Sequence, residues 1–140
     1  MSERLTIQSY FKPLSQALDV KDPVWKAWRM MKEHQTKHLP VLKDNKIIGI
    51  VSDRDIVQIS GYNGGQSMPV KDAMSLDPLI LLVTSTMDDA LRAMLKKEQH
   101  HAIVINTNKS PCGLFSWDAA FQWFLETAQS SPFKFPVSKS

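Results

Sequence analysis

In the stretch IIGIVSDRDIV, residues 47–57, Ser52 and Asp55 stand at the spacing S-x-x-D, where an apolar run gives way to a helical one. At a helix start such a pair forms a capping box. The Ser oxygen accepts from the N–H three residues on, and the carboxylate accepts in return from the N–H of the cap residue. At a strand-to-helix turn the same pair can also serve a ligand: the carboxylate meets ribose hydroxyls, while the Ser hydroxyl and the exposed N–H groups at the positive helix end receive ribose or phosphate. Gly49, three residues upstream of Ser52, lets a second backbone or a ligand come close. The two readings are compatible, since a capping side chain can also touch a ligand.

Other groups capable of chemistry are few. Lys37 and His38 precede LPV, and His100 and His101 occupy the same places 63 residues later. They suit the negative ends of helices, or alternatively face phosphates. Adjacent His residues on a strand point to opposite faces, and no further ligand clusters with them, so no metal centre is expected. Cys112 is the single cysteine, which excludes an internal disulfide. There is no nucleophile paired with a base, no P-loop and no Rossmann glycine fingerprint, so the chain reads as non-catalytic, with no catalytic residue and no required cofactor.

Charge and hydropathy narrow the class further. The net charge of +3 is spread over 17 basic and 14 acidic residues without a block of like sign, too weak a balance to argue for nucleic-acid binding. LILLV, residues 79–83, falls far short of the roughly 20 residues that span a membrane and reads as a strand buried on both faces. The N-terminus carries no secretion signal, so a cytoplasmic location is expected.

The elements that hold these residues occur twice. Val24, Ala27, Trp28 and Met31 follow i, i+3, i+4, i+7, one face of a helix, and Met87, Ala90, Leu91 and Met94 repeat it 63 positions on. Helix starts are expected at Asp22 with Pro23 in the first turn, and at a capping box from Ser85 to Asp88. Each helix leads into a strand, turn and strand, with the first turn at Asp44 and Asn45 and the second one residue longer. A closing helix follows, and Trp117, Ala120, Phe121 and Phe124 again keep the helical spacing in the second copy. The same offset aligns the lead-ins IQSYFKPLSQALDV and VKDAMSLDPLILLV. The expected organisation is a first repeat at 1–66, a second at 67–128 and a tail at 129–140 that docks through Phe133 and Phe135 or stays mobile. The fold class is α/β (α+β): two pseudo-symmetric β-α-β-β-α repeats packed through their sheets. The four Trp are expected in core or interface rather than as stacking platforms.

These residues, in this order and twice over, resemble a tandem pair of CBS domains, the ligand-sensing Bateman module. The family pattern M-T … A-x-x-x-M … P-V … G-x-x-[ST]-x-x-D is met in the first copy by Phe11-Lys12, Ala27, Met31, Pro40-Val41, Gly49, Ser52 and Asp55. In the second it is met by Met74-Ser75, Ala90, Met94, Ile103-Val104, Gly113 and Ser116. Lys12 replaces a hydroxyl residue, and Ala119 stands where the closing Asp belongs, with Asp118 one place early and turned by about 100° on a helix. The first copy is therefore the better site. The resemblance implies a regulatory module that binds an adenosine-containing ligand (AMP, ADP, ATP or S-adenosylmethionine) between the repeats and signals by conformational shift. It implies contacts from Lys37, His38, Pro40, Val41, Ile50, Ser52, Asp55, His100 and Ser116, with the adenine near Pro40, Val41 and Ile50 and the phosphates near Lys37 and His100. It further implies a homodimer and a separate effector protein. The alternative is a dimerisation or interaction scaffold whose nucleotide pocket is degenerate.

Overall fold

A computed structural model describes residues 6–130; the expected docking of Phe133 and Phe135 lies outside the described residues. The first repeat contains β1 (Lys12–Pro13), β2 (Leu18–Asp19), α1 (Val24–Glu33), β3 (His38–Lys43), β4 (Lys46–Ser52) and α2 (Asp53–Ser60). The second contains β5 (Ser75–Leu76), β6 (Ile80–Leu82), α3 (Met87–Lys97), β7 (His101–Ile105), β8 (Pro111–Ser116) and α4 (Trp117–Ser130). The expected α+β architecture is present, with one strand more per repeat than the β-α-β-β-α pattern.

That extra strand is exchanged. One sheet runs β2-β3-β4-β5 and the other β1-β8-β7-β6, so each takes its outer antiparallel strand from the other repeat. Lys12 and Pro13 pair with Leu114 and Gly113, while Leu76 and Ser75 pair with Gly49 and Ile50. Two further bridges obey the same symmetry. Thr6 meets Thr86, and Pro23 meets Pro69. Ile7, fully buried, belongs to the core of the second repeat, and Val70, also fully buried, to that of the first.

The repeat glycines serve this exchange. A Cβ on Gly49 would stand 2.7 Å from Met74 Sδ and 2.8 Å from the Ser75 carbonyl oxygen, and one on Gly113 would collide with the Phe11 ring. The backbone that approaches Gly49 is thus the lead-in of the other repeat, not a ligand.

Strand alternation sorts the remaining core. Leu39, Val41 and Val51 lie fully buried under the helices. Pro40 stands opposite Ile50 in the ladder, on the opposite face. Ile50 shares a core with Ile103 and Leu114 of the second repeat, so the repeats pack through their sheets as expected. The Asp44-Asn45 turn has φ of 51° and 64°, the left-handed pair that a two-residue hairpin requires.

Three expectations need correction. LILLV is not covered on both faces: Leu79 and Leu81 are buried, but Ile80 and Leu82 are 39% and 49% exposed, because β6 is a sheet edge. Helix α1 is capped at Pro23 without a side-chain bond; its Val24 N–H donates to the Met68 carbonyl at 2.8 Å. Asp22 instead accepts from the Asp19 N–H and pairs with Lys26 at 3.2 Å. Helix α3 starts one residue later than expected, with Thr86 accepting from the Asp89 N–H. Ser85 is diverted to accept from the Leu82 N–H, which closes the turn after β6. No helix of the described residues is long and apolar enough to cross a membrane.

Candidate functional site

At the end of β4 the capping box forms in full. The Asp55 N–H donates to Ser52 Oγ at 3.1 Å, and the Ser52 N–H donates to Asp55 Oδ2 at 2.9 Å. The first helical N–H groups are also satisfied from within the chain. That of Asp53 donates to the Lys37 carbonyl and that of Arg54 to Asp53 Oδ1, both at 2.9 Å. This corrects the expectation that the helix start leaves N–H groups open to a phosphate. What remains available is the Ser52 hydroxyl hydrogen and Asp55 Oδ1, which has no hydrogen-bond partner among the described residues.

These groups open onto a cleft of about 630 Å³ shared by the two repeats. The first repeat lines it with Lys37, His38, Ile50, Ser52, Asp53, Arg54 and Asp55, the second with residues of the β5 lead-in and of the turn from Glu98 to His101. Of the residues singled out from the sequence, Lys37, His38, Ile50, Ser52, Asp55 and His100 come together here. Three do not. Val41 has no exposed surface and packs in the core, and Pro40 is buried in the ladder beside it. Alternation turns Val41 away from the cleft, whereas Pro40 shares the face of His38 and Ile50 but is covered there and does not line the cleft. Ser116 pairs with His101 across β7 and β8 and is not among the residues lining the cleft.

The contacts implied by the resemblance left out Ser75, Leu76, Pro78, Glu98, Gln99 and His101 on the far wall. The signal was present, since His101 stands 63 residues after His38; what was missing was the exchange of lead-ins that brings Ser75 across. His38 and His101 stack with ring centroids 4.1 Å apart and planes tilted by 31°. Burial, reinforced by the neighbouring His101 and Lys37, holds the His38 pKa down at about 4, against the pull of Asp53 and Asp55. Burial also lowers His101, with His100 adding to it and Asp55 opposing.

The equivalent turn of the second repeat is built differently. Trp117 donates its N–H to the His100 carbonyl at 3.0 Å, as Asp53 does to Lys37, but its ring lies 4.1 Å from that of His100. The Lys12 ammonium, in place of a hydroxyl, donates to the Gln35 carbonyl. Asp118 is exposed and Ala119 supplies no carboxylate. Trp28 does not share the burial of Val24, Ala27 and Met31 that its spacing predicted: it and Trp25 are 40% and 47% exposed and carry Lys32 and Arg29 over their rings at 4.9 and 5.2 Å. Among the described residues no group of three or more His, Cys, Asp or Glu could hold a metal ion.

A duplicated fold with one cleft walled by both copies defines a tandem repeat module. Comparison with protein families gives the kind: the CBS domain matches twice, over residues 15–61 and 70–126. The chain belongs to the CBS-domain family. It is 33% identical over 94 residues to an inosine-5'-monophosphate dehydrogenase of Korarchaeum cryptofilum (strain OPF8), which covers 67% of this chain but 19% of that enzyme. It is 32% identical over 91 residues to an uncharacterized 17.7 kDa protein of Acidianus ambivalens, covering 64% of this chain and 55% of that one. The chain thus spans about a fifth and about half of these two curated relatives.

Among solved structures, the CBS-pair protein CBSX2 from Arabidopsis thaliana superposes with a TM-score of 0.71 at 20% identity, over 90% of this chain and 98% of that one. CBSX2 in complex with AMP gives 0.67 at 21%, over 87% and 97%. The CBS domain of the bacterial CNNM/CorC family Mg2+ transporter in complex with ATP gives 0.72 at 15%, over 88% and 89%. At these identities the likeness is one of fold.

Proposed function

We propose that this chain is a non-catalytic regulatory module that binds an adenosine-containing nucleotide in the cleft at Ser52 and Asp55, and that binding shifts the relative arrangement of the two repeats. One observation carries the reading: the cleft is lined by both repeats, so a ligand in it touches both and favours the arrangement it fits best. Asp55 Oδ1 and the Ser52 hydroxyl suit a ribose, while Lys37 and His100 suit phosphate. The AMP and ATP complexes of proteins with this fold support the ligand class. No resident cofactor is needed, and the bound state acts on a separate effector chain in the cytoplasm.

Homodimerisation belongs to the same proposal. Phe121 and Leu125 on α4 are each 59% exposed, and Val57 on α2 is 62% exposed, exposed apolar surface of the kind that marks an association site. A scaffold with a degenerate pocket is the second reading, favoured by Lys12 and Ala119 at the second turn.

The test is thermal stability with AMP, ADP, ATP, NAD and S-adenosylmethionine. A ligand at 100 times its Kd stabilises by about 2.7 kcal/mol, which raises Tm by several degrees in a chain of this size. Asp55→Asn keeps an acceptor for the Ser52 N–H and costs the fold at most about 1 kcal/mol. It loses more in binding, because a bond to an ionised carboxylate contributes about 1.5–3 kcal/mol. If no nucleotide shifts the wild type, the scaffold reading stands. If Asp55→Asn responds as strongly as the wild type, the pair is only a cap.

A further inference from the structure

His38 and His101 are the same position of the two repeats, and their rings meet inside the cleft at a centroid distance of 4.1 Å. Each stands across its own hairpin from the Ser that starts the next helix, His38 opposite Ser52 and His101 opposite Ser116. From the facing elements, α2 presents Asp53, Arg54 and Asp55, the segments before β3 and β7 present Lys37 and His100, and the end of α3 presents Glu98. The β5 residues there, Ser75 and Leu76, do not titrate.

Resting on the reading of this cleft as a nucleotide site, we infer that the His38–His101 pair takes up a proton from solvent when a phosphate group enters, so that binding tightens as the solution acidifies. In the free protein two stacked, half-buried imidazoles stay neutral, because a charged ring would be desolvated and a pair of charged rings would repel. Asp53 and Asp55 already pull toward the imidazolium, and an arriving phosphate adds a third anion. The proton goes to a ring nitrogen of one imidazole. The second ring, now facing a like charge at stacking distance, stays neutral, so the pair titrates as a unit. The charge then lies at the contact between the repeats, where either repeat's movement disturbs it.

Calorimetry of ATP binding to the full chain at pH 7.5, in buffers of different ionisation enthalpy, counts the protons exchanged. The wild type is expected to take up as much as about one proton per ATP, and its affinity to rise by up to about tenfold between pH 7.5 and 6.5. The double variant His38→Asn/His101→Asn carries the same titration of ATP itself, so the difference between the two belongs to the rings. Should that variant fold poorly, the wild-type imidazole Cε1–H resonances, followed through an ATP titration at pH 7.5, must move toward the protonated position. ATP binding with no proton uptake, with equal uptake in the double variant, or with unmoved imidazole resonances overturns the inference and leaves the nucleotide reading standing. No binding of ATP at any pH from 6 to 8, while another nucleotide of the thermal panel binds, also overturns it. If none binds, both fall together.

Discussion

His38 carries a consequence that needs no ligand. Its pKa in the folded chain is about 4, below the ordinary 6.5, so between those values the unfolded chain holds more protons than the folded one. Stability from this group is therefore fully present above pH 6.5 and is lost as pH falls toward 4. Urea midpoints should decline between pH 7 and pH 5, by an amount equivalent to about 1 kcal/mol once solvent screening of a half-buried ring is allowed for. His38→Asn should flatten that part of the profile. A slope unchanged in the variant would assign it to other groups. At this scale the capping spacing of Ser52 and Asp55 was plain from the sequence, because a local motif needs only its own residues. The satisfaction of the helix-start N–H groups was not, since the Lys37 carbonyl that meets the Asp53 N–H arrives from 16 residues upstream.

The strands and helices divide in the same way. The amphipathic faces of α1 and α3 and the Asp44-Asn45 turn were legible because their signals are periodic or local, and the 63-residue offset even carried the lead-ins. What no local signal encodes is the destination of a two-residue strand: β1 and β5 are too short to show alternation, and both leave their own repeat. Gly49 and Gly113 marked the place without naming the visitor. Gly49→Ala sets a methyl group 2.7 Å from Met74 Sδ and 2.8 Å from the Ser75 carbonyl, and the carbonyl belongs to a paired strand that cannot yield freely. The substitution should cost about 1–3 kcal/mol by overpacking, read from denaturant midpoints. A loss under about 0.5 kcal/mol, the range of a neutral surface change, would mean that β5 shifts aside at little cost. The exposed flank of β6 escaped prediction for a related reason, since five apolar residues in a row read alike at the centre of a sheet and at its edge.

Across the whole molecule the exchange makes each repeat depend on the other. Ile7 and Val70, both without exposed surface, fill the core of the opposite repeat. A chain of residues 1–66 lacks Val70 and β5, leaves Ile7 with nowhere to pack, and is of a size at which a single core is already marginal. Circular dichroism of that fragment should show no cooperative unfolding transition; one as sharp as that of the full chain would rule out a shared core. We propose 1–66 and 67–128 as the duplicated units, and the exchanged strands β1 and β5 each pair in the sheet of the other unit. The exchanged strand also sets an order of events during synthesis. Lys12 pairs with Leu114, so β1 leaves the ribosome about 100 residues ahead of its partner and waits on the order of 5–20 s at ordinary elongation rates. Through that interval it is an unpaired edge in a crowded cell, and its residues are Lys12 and Pro13, a charge and a missing N–H, the two features that most discourage a wrong strand from joining.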